Sequence, residues 1–314
     1  MMLDLLALKQ DYVKDFLKFG AIQTSNGDLD AEYHVFKYLY QSLDTEEALW
    51  HSLLFIAYMH HGSVYKALEY VPTPALLPEA IWKLPMDTER RNFRGGDVRY
   101  HIASLIKFYE QCGNSLENFL ITGFTDDKRY NWQKLGQTLS LLWGNGRWAS
   151  YKARELLYTS NNFPIEPTGI DNKGSSGPRQ CLGLFFPEIQ GNTPTAIALL
   201  DQQADILKDL LLTHGIHVNY LELETMLCNF HNVVMGNGYI GIVIDANLGQ
   251  LTGAYSGTRE KIVIPPEHPV WQARREVFAN RYLGELHGWE GMDRERKVFY
   301  RRTGILIDRD DRVL

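Results

Sequence analysis

Cysteine is scarce in this chain: Cys112, Cys181 and Cys228 are the only three in 314 residues, widely spaced and odd in number. That excludes a disulfide framework and a CxxC zinc site, and the thiols are expected to be reduced. Long apolar runs are missing as well. No segment approaches the roughly 18 to 20 uncharged apolar residues of a membrane span. The N-terminal MMLDLLALKQDYVKDFLKF carries acids and lysines where a signal peptide stays apolar. No membrane partner is expected, and a cytoplasmic location follows. Excess positive charge is also absent, since 32 Lys and Arg face 38 Asp and Glu for a net charge of −6. This argues against a protein that lives by nonspecific duplex binding, whose affinity comes mostly from cations that neutralise phosphates. There is no GxxxxGK[ST] and hence no P-loop signature for ATP. Internal repeats and low-complexity tracts are absent too.

What is present is enough apolar sequence, 45% hydrophobic against 22% charged, to bury the core of one large or two modest domains. The pattern predicts a mainly α fold. Asp44 stands as a cap before Thr-Glu-Glu and the long apolar ALWHSLLFIAYMHHGSVYKAL, which reads as a core helix. PTPALLP (72–78) breaks the pattern, and DVRYHIASLIKFYEQCG resumes it with Gly113 as terminator. Helices are predicted in NWQKLGQTLSLLW, ending at 144–146, and in RWASYKARELLYTS. Another is predicted with Thr193 as cap, Pro194 in its first turn and Gly215 as stop. HPVWQARREVFANRYLGELHGW reads as a helix with an arginine-rich edge. YIGIVID (239–245) and KIVIPP (261–266) read as strands of a small β hairpin. A soft boundary falls at 160–190, and a single helical catalytic domain over 1–251 with a C-terminal extension over 252–314 is equally defensible.

Five segments carry candidate chemistry. IEPTGIDNKGSSGPRQCLGLFF (165–186) sets Asp171 beside the backbone-permissive run Lys173, Gly174, Ser175, Ser176 and Gly177, ending in Arg179. Converging N–H groups and a guanidinium are the parts of an anion site. In LELETMLCNFH (221–231), Glu224, Cys228 and His231 share one helix face at four- and three-residue spacing, the alternative being a buried Cys with a capped His. In LSLLWGNGRWASYKARELL, Gly144 and Gly146 between two helices, followed by Arg147, have the form of a helix-hairpin-helix that offers backbone N–H groups to a DNA phosphate, the alternative being a plain turn. Trp143 and Trp148 are expected to pack that hairpin into the core. Two basic patches, RRNFRGGDVR (90–99, net +3) and RERKVFYRR (294–302, net +4), mix arginine with aromatic residues, which suits phosphate and base contacts as well as solvated faces.

The 165–186 and 221–231 blocks, together with GYIGIVIDANLGQL (238–251) and ERRNFRGG (89–96), resemble the amino acid:DNA transferases and their relatives, the α-glutamyl/putrescinyl-thymine pyrophosphorylases of bacteriophages. The resemblance covers about residues 45–251 and is most specific over 165–251. IDANLGQL is less charged than the family's version, and 252–314 align with nothing. The resemblance implies a fold like that of the helical DNA glycosylases, and an enzyme that acts on double-stranded DNA carrying a modified thymine. On a flipped 5-pyrophosphoryloxymethyluracil, an amino acid or amine replaces pyrophosphate, glycine being favoured, in the host cytoplasm during phage infection. Under this reading Arg179, the backbone of 174–177 and Lys173 stabilise the leaving group. Asp171, Glu224 or His231 serves as the base, with Asp171 or Glu224 preferred, and Cys228 lines the substrate site. Asp245 orients the amine or binds a divalent metal, with no cofactor otherwise implied. Arg90, Arg91, Arg94, Gly144, Gly146 and Arg147 contact DNA phosphates. Three other readings stay open: a helical relative of hydroxymethyluracil DNA kinases, a helix-hairpin-helix glycosylase using Lys152 or Lys173, and a noncatalytic binder of modified DNA.

Overall fold

Among the described residues, six helix starts are capped by polar side chains, those of Asp44, His60, Ser115, Asp127, Thr193 and Asn219, each of which accepts a first-turn N–H. The computed structural model describes residues 10–86, 98–189, 191–254, 261–284, 294–309 and 313. In chain order its helices are α1 (Gln10–Asn26), α2 (Ala31–Leu39), α3 (Thr45–Tyr58), α4 (His61–Tyr70), α5 (Val98–Gln111), α6 (Leu116–Ile121) and α7 (Lys128–Leu139). They continue with α8 (Arg147–Asn161), α9 (Ser176–Phe185), α10 (Pro194–Thr213), α11 (Tyr220–Val234), α12 (Ile242–Thr252), α13 (Pro269–Val277) and α14 (Arg294–Thr303). The mainly helical class read from the sequence is the class observed. Asp44 closes a capping box with Glu47 at the start of α3, and Asn219 does the same with Glu222 on α11. Thr193 caps α10 with Pro194 in the first turn. Gly113 and Gly215, both at φ 75°, follow α5 and α10 in the left-handed conformation expected of terminators.

The apolar stretch after Asp44 is two helices rather than one. Met59 turns left-handed at φ 48°, and extended His60 accepts the Ser63 N–H on its ring nitrogen at 3.2 Å, which starts α4. The expected hairpin is replaced by other structure. Gly241 makes a turn at φ 94°, and the second half of YIGIVID opens α12. A short continuous apolar run carries no clear period in its sequence, so its neighbours decide between helix and strand; here Ile240 and Ile244 are buried while Ile242 and Val243 are half-buried. Residues 261–266 are extended, with Ile262 and Ile264 buried and the Ile264 N–H donating to the Leu251 carbonyl at 2.8 Å. Among the described residues the β pairing consists of isolated bridges, Ile240 with Asp308 and Ile307 with Val313.

The chain divides into two compact units, and their bounds cut across a linear division at 251/252. One comprises 1–31, 167–245 and 278–314, the other 32–166 and 246–277. In the first, α9 and α11 pack closely with α1, α10 and α14 around Phe16, Phe19, Phe185 and Phe230. Phe16 meets Phe185 and Phe230 edge to face at 5.3 and 5.4 Å between ring centroids. In the second, α3 is the central helix, every residue from Ala48 to Tyr58 being buried, and α4, α5, α6 and α8 pack on it. Among the described residues no helix is long and apolar enough to cross a membrane.

Candidate functional site

In the first unit, the segment before α9 is anchored by buried Ile170 and then turns sharply. Asp171 sits at φ 51°, a left-handed conformation that Asp tolerates better than most residues. Its carbonyl accepts the N–H groups of Gly174 at 2.8 Å and Ser175 at 2.9 Å. This changes the expected anion cradle: the 174 and 175 amides point at Asp171. The amides of the first turn of α9, at Ser176 and Gly177, are the better donors for an anion, because the N-cap Ser175 gives that turn no side-chain cap. The Ser175 hydroxyl instead donates to Glu224 Oε1 at 2.7 Å, and Glu224 is only 6% exposed.

Asn172, 1% exposed, ties the turn to two further groups. Its carbonyl accepts Arg179 Nη1 at 2.8 Å, the one hydrogen bond of that guanidinium among the described residues. Its side-chain Nδ2 donates to Asp201 Oδ1 on α10 at 2.8 Å. Partial loss of water raises the Asp201 carboxyl above its ordinary range against the Asn172 hydrogen bond, and the negative charges of Asp205 and Asp171 add to the rise. Nothing in the sequence marks Asn172 or Asp201, because DQQAD reads only as the polar face of a helix. Lys173 and Ser176 are exposed beside this turn.

On the α11 face, Glu224 and Cys228 meet α9, but in different ways. A Cβ at Gly177 would lie 2.7 Å from Cys228 Sγ, so glycine at 177 is what lets the two helices approach. Cys228 therefore serves packing at this point. Cys181 lies fully buried behind it. His231 is half-buried, and loss of water holds its imidazole pKa below the usual value.

Asp245 is neither on a strand nor facing solvent. It is 1% exposed in the first turn of α12, where the Tyr239 hydroxyl donates to Oδ2 at 2.9 Å and Arg309 Nε lies 3.3 Å from Oδ1. Close by, fully buried Asp28 accepts the Gly241 N–H at 2.9 Å and Gln23 Nε2 at 3.2 Å. Burial pushes the Asp28 carboxyl up to about 7, and the nearby Asp245 charge adds to the rise. Asp245 thus belongs to a buried charge network that takes in part of the C-terminal segment. Among the described residues no group of three or more His, Cys, Asp or Glu side chains is arranged to hold a metal ion.

In the second unit, α7 and α8 pack together and are joined through 140–146. Gly144 adopts φ 75°, whereas Gly146 is extended at φ −71° and precedes α8 as an N-cap without a side chain. The position that requires glycine is 144. Arg147 is exposed at the start of α8. The tryptophans differ from expectation: Trp148 is half-buried, and Trp143 is 40% exposed. Lys152 is ion-paired with buried Glu155 at 2.6 Å, which ties down the nucleophile a glycosylase would need there. Arg90, Arg91 and Arg94 lie outside the described residues. Of the second basic patch, Tyr300 is buried and donates to Asp15 at 2.6 Å, while Arg301 and Arg302 are exposed on α14.

A family model described as amino acid:DNA transferase matches residues 25–239. That span contains the 144–147 turn, the Asp171–Arg179 segment and the Glu224–His231 face, and it ends before Asp245. No curated protein and no solved structure matches the chain. With more than half its length matched, this chain belongs to the amino acid:DNA transferase family.

Proposed function

We propose that the chain replaces pyrophosphate on 5-pyrophosphoryloxymethyluracil in double-stranded DNA with an amino acid, glycine being favoured, or with another amine. The product is a hypermodified thymine in phage DNA, made in the host cytoplasm. Family membership supplies the transferase class and its DNA and amino acid substrates. The observation that carries the finer reading is one short turn that gathers two chemical sets. One set is Arg179, exposed Lys173 and the uncapped first turn of α9, which suit a polyanionic leaving group. The other set is Asp171 and buried Glu224, the latter joined to the turn by the Ser175 hydroxyl.

In the reaction the methylene carbon–oxygen bond breaks and its electron pair leaves with pyrophosphate. Arg179 and the α9 amides bind charge that grows in the transition state, so their contribution appears in the rate. The incoming ammonium loses its proton to Asp171 or Glu224, and its nitrogen forms the new bond to carbon. His231, held toward its neutral form, is the third candidate for that proton. Gly144, Gly146 and Arg147, with Arg90, Arg91 and Arg94, hold backbone phosphates while the base turns out of the stack.

The test is pyrophosphate release from pyrophosphorylated DNA with glycine, glutamate, putrescine or no amine, with mass spectrometry of the nucleosides. Amine-dependent release with a matching adduct supports transfer. ATP consumption on hydroxymethyluracil DNA, free base release, or tight binding without turnover each overturns it.

A further inference from the structure

The turn between α7 and α8 carries an exposed apolar surface that phosphate binding does not explain. Trp143 is 40% exposed, and Leu141 in the same turn is 60% exposed. Tyr100, in the first turn of α5, is also 60% exposed, and its ring lies 5.3 Å from that of Trp143 at an interplanar angle of 50°. Single exposed apolar residues are ordinary, but a grouped set with two aromatic rings marks a binding surface.

Trp143 is held in position by its main chain. Its carbonyl is 2.8 Å from Nδ1 of fully buried His101, a distance at which that nitrogen donates, and its N–H donates to Ser104 Oγ at 2.9 Å. Both partners come from α5, the helix that carries Tyr100, and buried Leu142 anchors the turn from the other side. The backbone of an outward-facing ring is thus fixed before anything binds, which lowers the entropy lost on binding. Cations neighbour the rings along the chain. Exposed Arg99 lies 5.8 Å from the Trp82 ring, exposed Arg147 begins α8, and in the sequence ERRNFRGGD runs directly into α5.

Paired aromatic rings on a fixed backbone, with guanidinium groups close by in the chain, match unstacked DNA, in which a base offers a π face and its neighbouring phosphates offer negative charge. We propose that Trp143 and Tyr100 form a stacking platform for a nucleobase of the DNA substrate, with Arg99 and Arg147 on the adjoining phosphates. This inference rests on the reading that the 144–147 turn faces DNA. The turn then holds an opened base step as well as a phosphate, which favours displacement of the target base from the duplex.

The test uses the full-length chain and a duplex with 2-aminopurine beside the modified thymine, with affinity measured across a salt series. Trp143→Ala should weaken binding by roughly 10- to 100-fold, the range expected when a base–aromatic stack is removed. The slope of log affinity against log salt should stay unchanged, because every cation that neutralises a phosphate is still in place. The 2-aminopurine signal of unstacking seen with wild type should disappear, and Trp143→Phe should restore most of both effects. Tyr100→Ala removes a mostly exposed side chain and should act in the same direction if Trp143→Ala proves unstable. Arg147→Gln should instead lower the salt slope. If Trp143→Ala and Tyr100→Ala both bind and unstack DNA as wild type does, or alter only the slope, the platform is ruled out. Wild type that binds and unstacks DNA but transfers no amine sinks the proposed reaction and leaves the platform standing.

Discussion

Helices α8 and α9 both begin without a side-chain cap, whereas α3, α7, α10 and α11 are capped by Asp44, Asp127, Thr193 and Asn219. A cap is worth about 0.5–2 kcal/mol, so leaving it out exposes first-turn amides at a cost in stability. The surroundings of the two open starts differ. At α9 the N-cap hydroxyl is turned toward buried Glu224, and Asn172, Asp201 and Arg179 brace the turn from the side. At α8 the N-cap is a bare glycine beside exposed Arg147, Trp143 and Leu141. A start set among fixed, partly buried charge is suited to stabilising charge as it develops, since the groups are aligned before the reaction. An exposed start with cations and rings is suited to gripping a large polyanion. We therefore propose chemistry at the α9 start and grip at the α8 start.

The sharpest way to break this comparison is to remove one arginine from each. Arg179→Ala should lower turnover roughly 100-fold or more at saturating DNA, with DNA affinity little changed. Arg147→Ala should lower affinity and leave turnover at saturating DNA intact. Pyrophosphate release and equilibrium binding on the same duplex measure both, and matching effects from the two variants would erase the distinction.

The next effect is on packing at α9. Gly177→Ala should destabilise by about 1–3 kcal/mol, the usual cost of overpacking, because its Cβ would lie 2.7 Å from Cys228 Sγ. The double variant Gly177→Ala, Cys228→Ala should recover most of the loss in urea denaturation. Additive losses would show that the sulfur is not the obstacle.

Stability against pH separates the buried charges of the two units. Asp28 in the first unit is raised from 3.8 to about 7, so the stability it contributes is complete below about pH 4 and is lost as pH rises through 7. Asp28→Asn keeps the neutral form. Between pH 4 and 7, wild type should therefore lose up to about 1.4 kcal/mol per pH unit relative to the variant. In the second unit His51 is lowered to about 3 by burial, with the opposite sign: its contribution is complete above about 6.5 and is lost as pH falls toward 3. Urea titrations of both proteins from pH 4 to 8 test the Asp28 part, and parallel curves would refute it.

Within the α8 start, Gly144→Val should cost about 1–2 kcal/mol because only residue 144 is left-handed there, while Gly146→Ala should cost less. Thermal melts of the two variants decide between them. The smallest effect is expected from the arginines that precede α5. Replacing Arg90, Arg91 and Arg94 with Gln should reduce the salt slope of DNA binding by a little under one unit for each phosphate that is no longer neutralised. An unchanged slope would return them to the solvated surface.

What could be read from the sequence, and what could not, follows the range of the forces involved. Asp44, Thr193, Gly113 and Gly215 were legible because caps and terminators act within a few residues of themselves. The segment from Asp171 to Arg179 was legible as an anion-binding composition, but the choice of which amides remain for an anion depended on the turn at Asp171. YIGIVID misled because a short continuous apolar run lacks the alternation that separates strand from helix. Trp143 misled because tryptophan is usually buried, and nothing local shows that His101 and Ser104 fix its backbone with the ring outward.

The sequence by itself determined the helical class, the helix starts at Asp44 and Thr193 and the stops at Gly113 and Gly215, the scarcity of cysteine, and the blocks that carry the family resemblance. These are properties of composition and of hydrogen bonds between near neighbours. Only the tertiary structure decided that Ser175 meets Glu224, that Asn172 meets Asp201 at a separation of 29 residues, and that Asp245 is engaged by Arg309. Burial and Coulomb interaction depend on distance in space, and packing brings together groups that their order along the chain leaves apart.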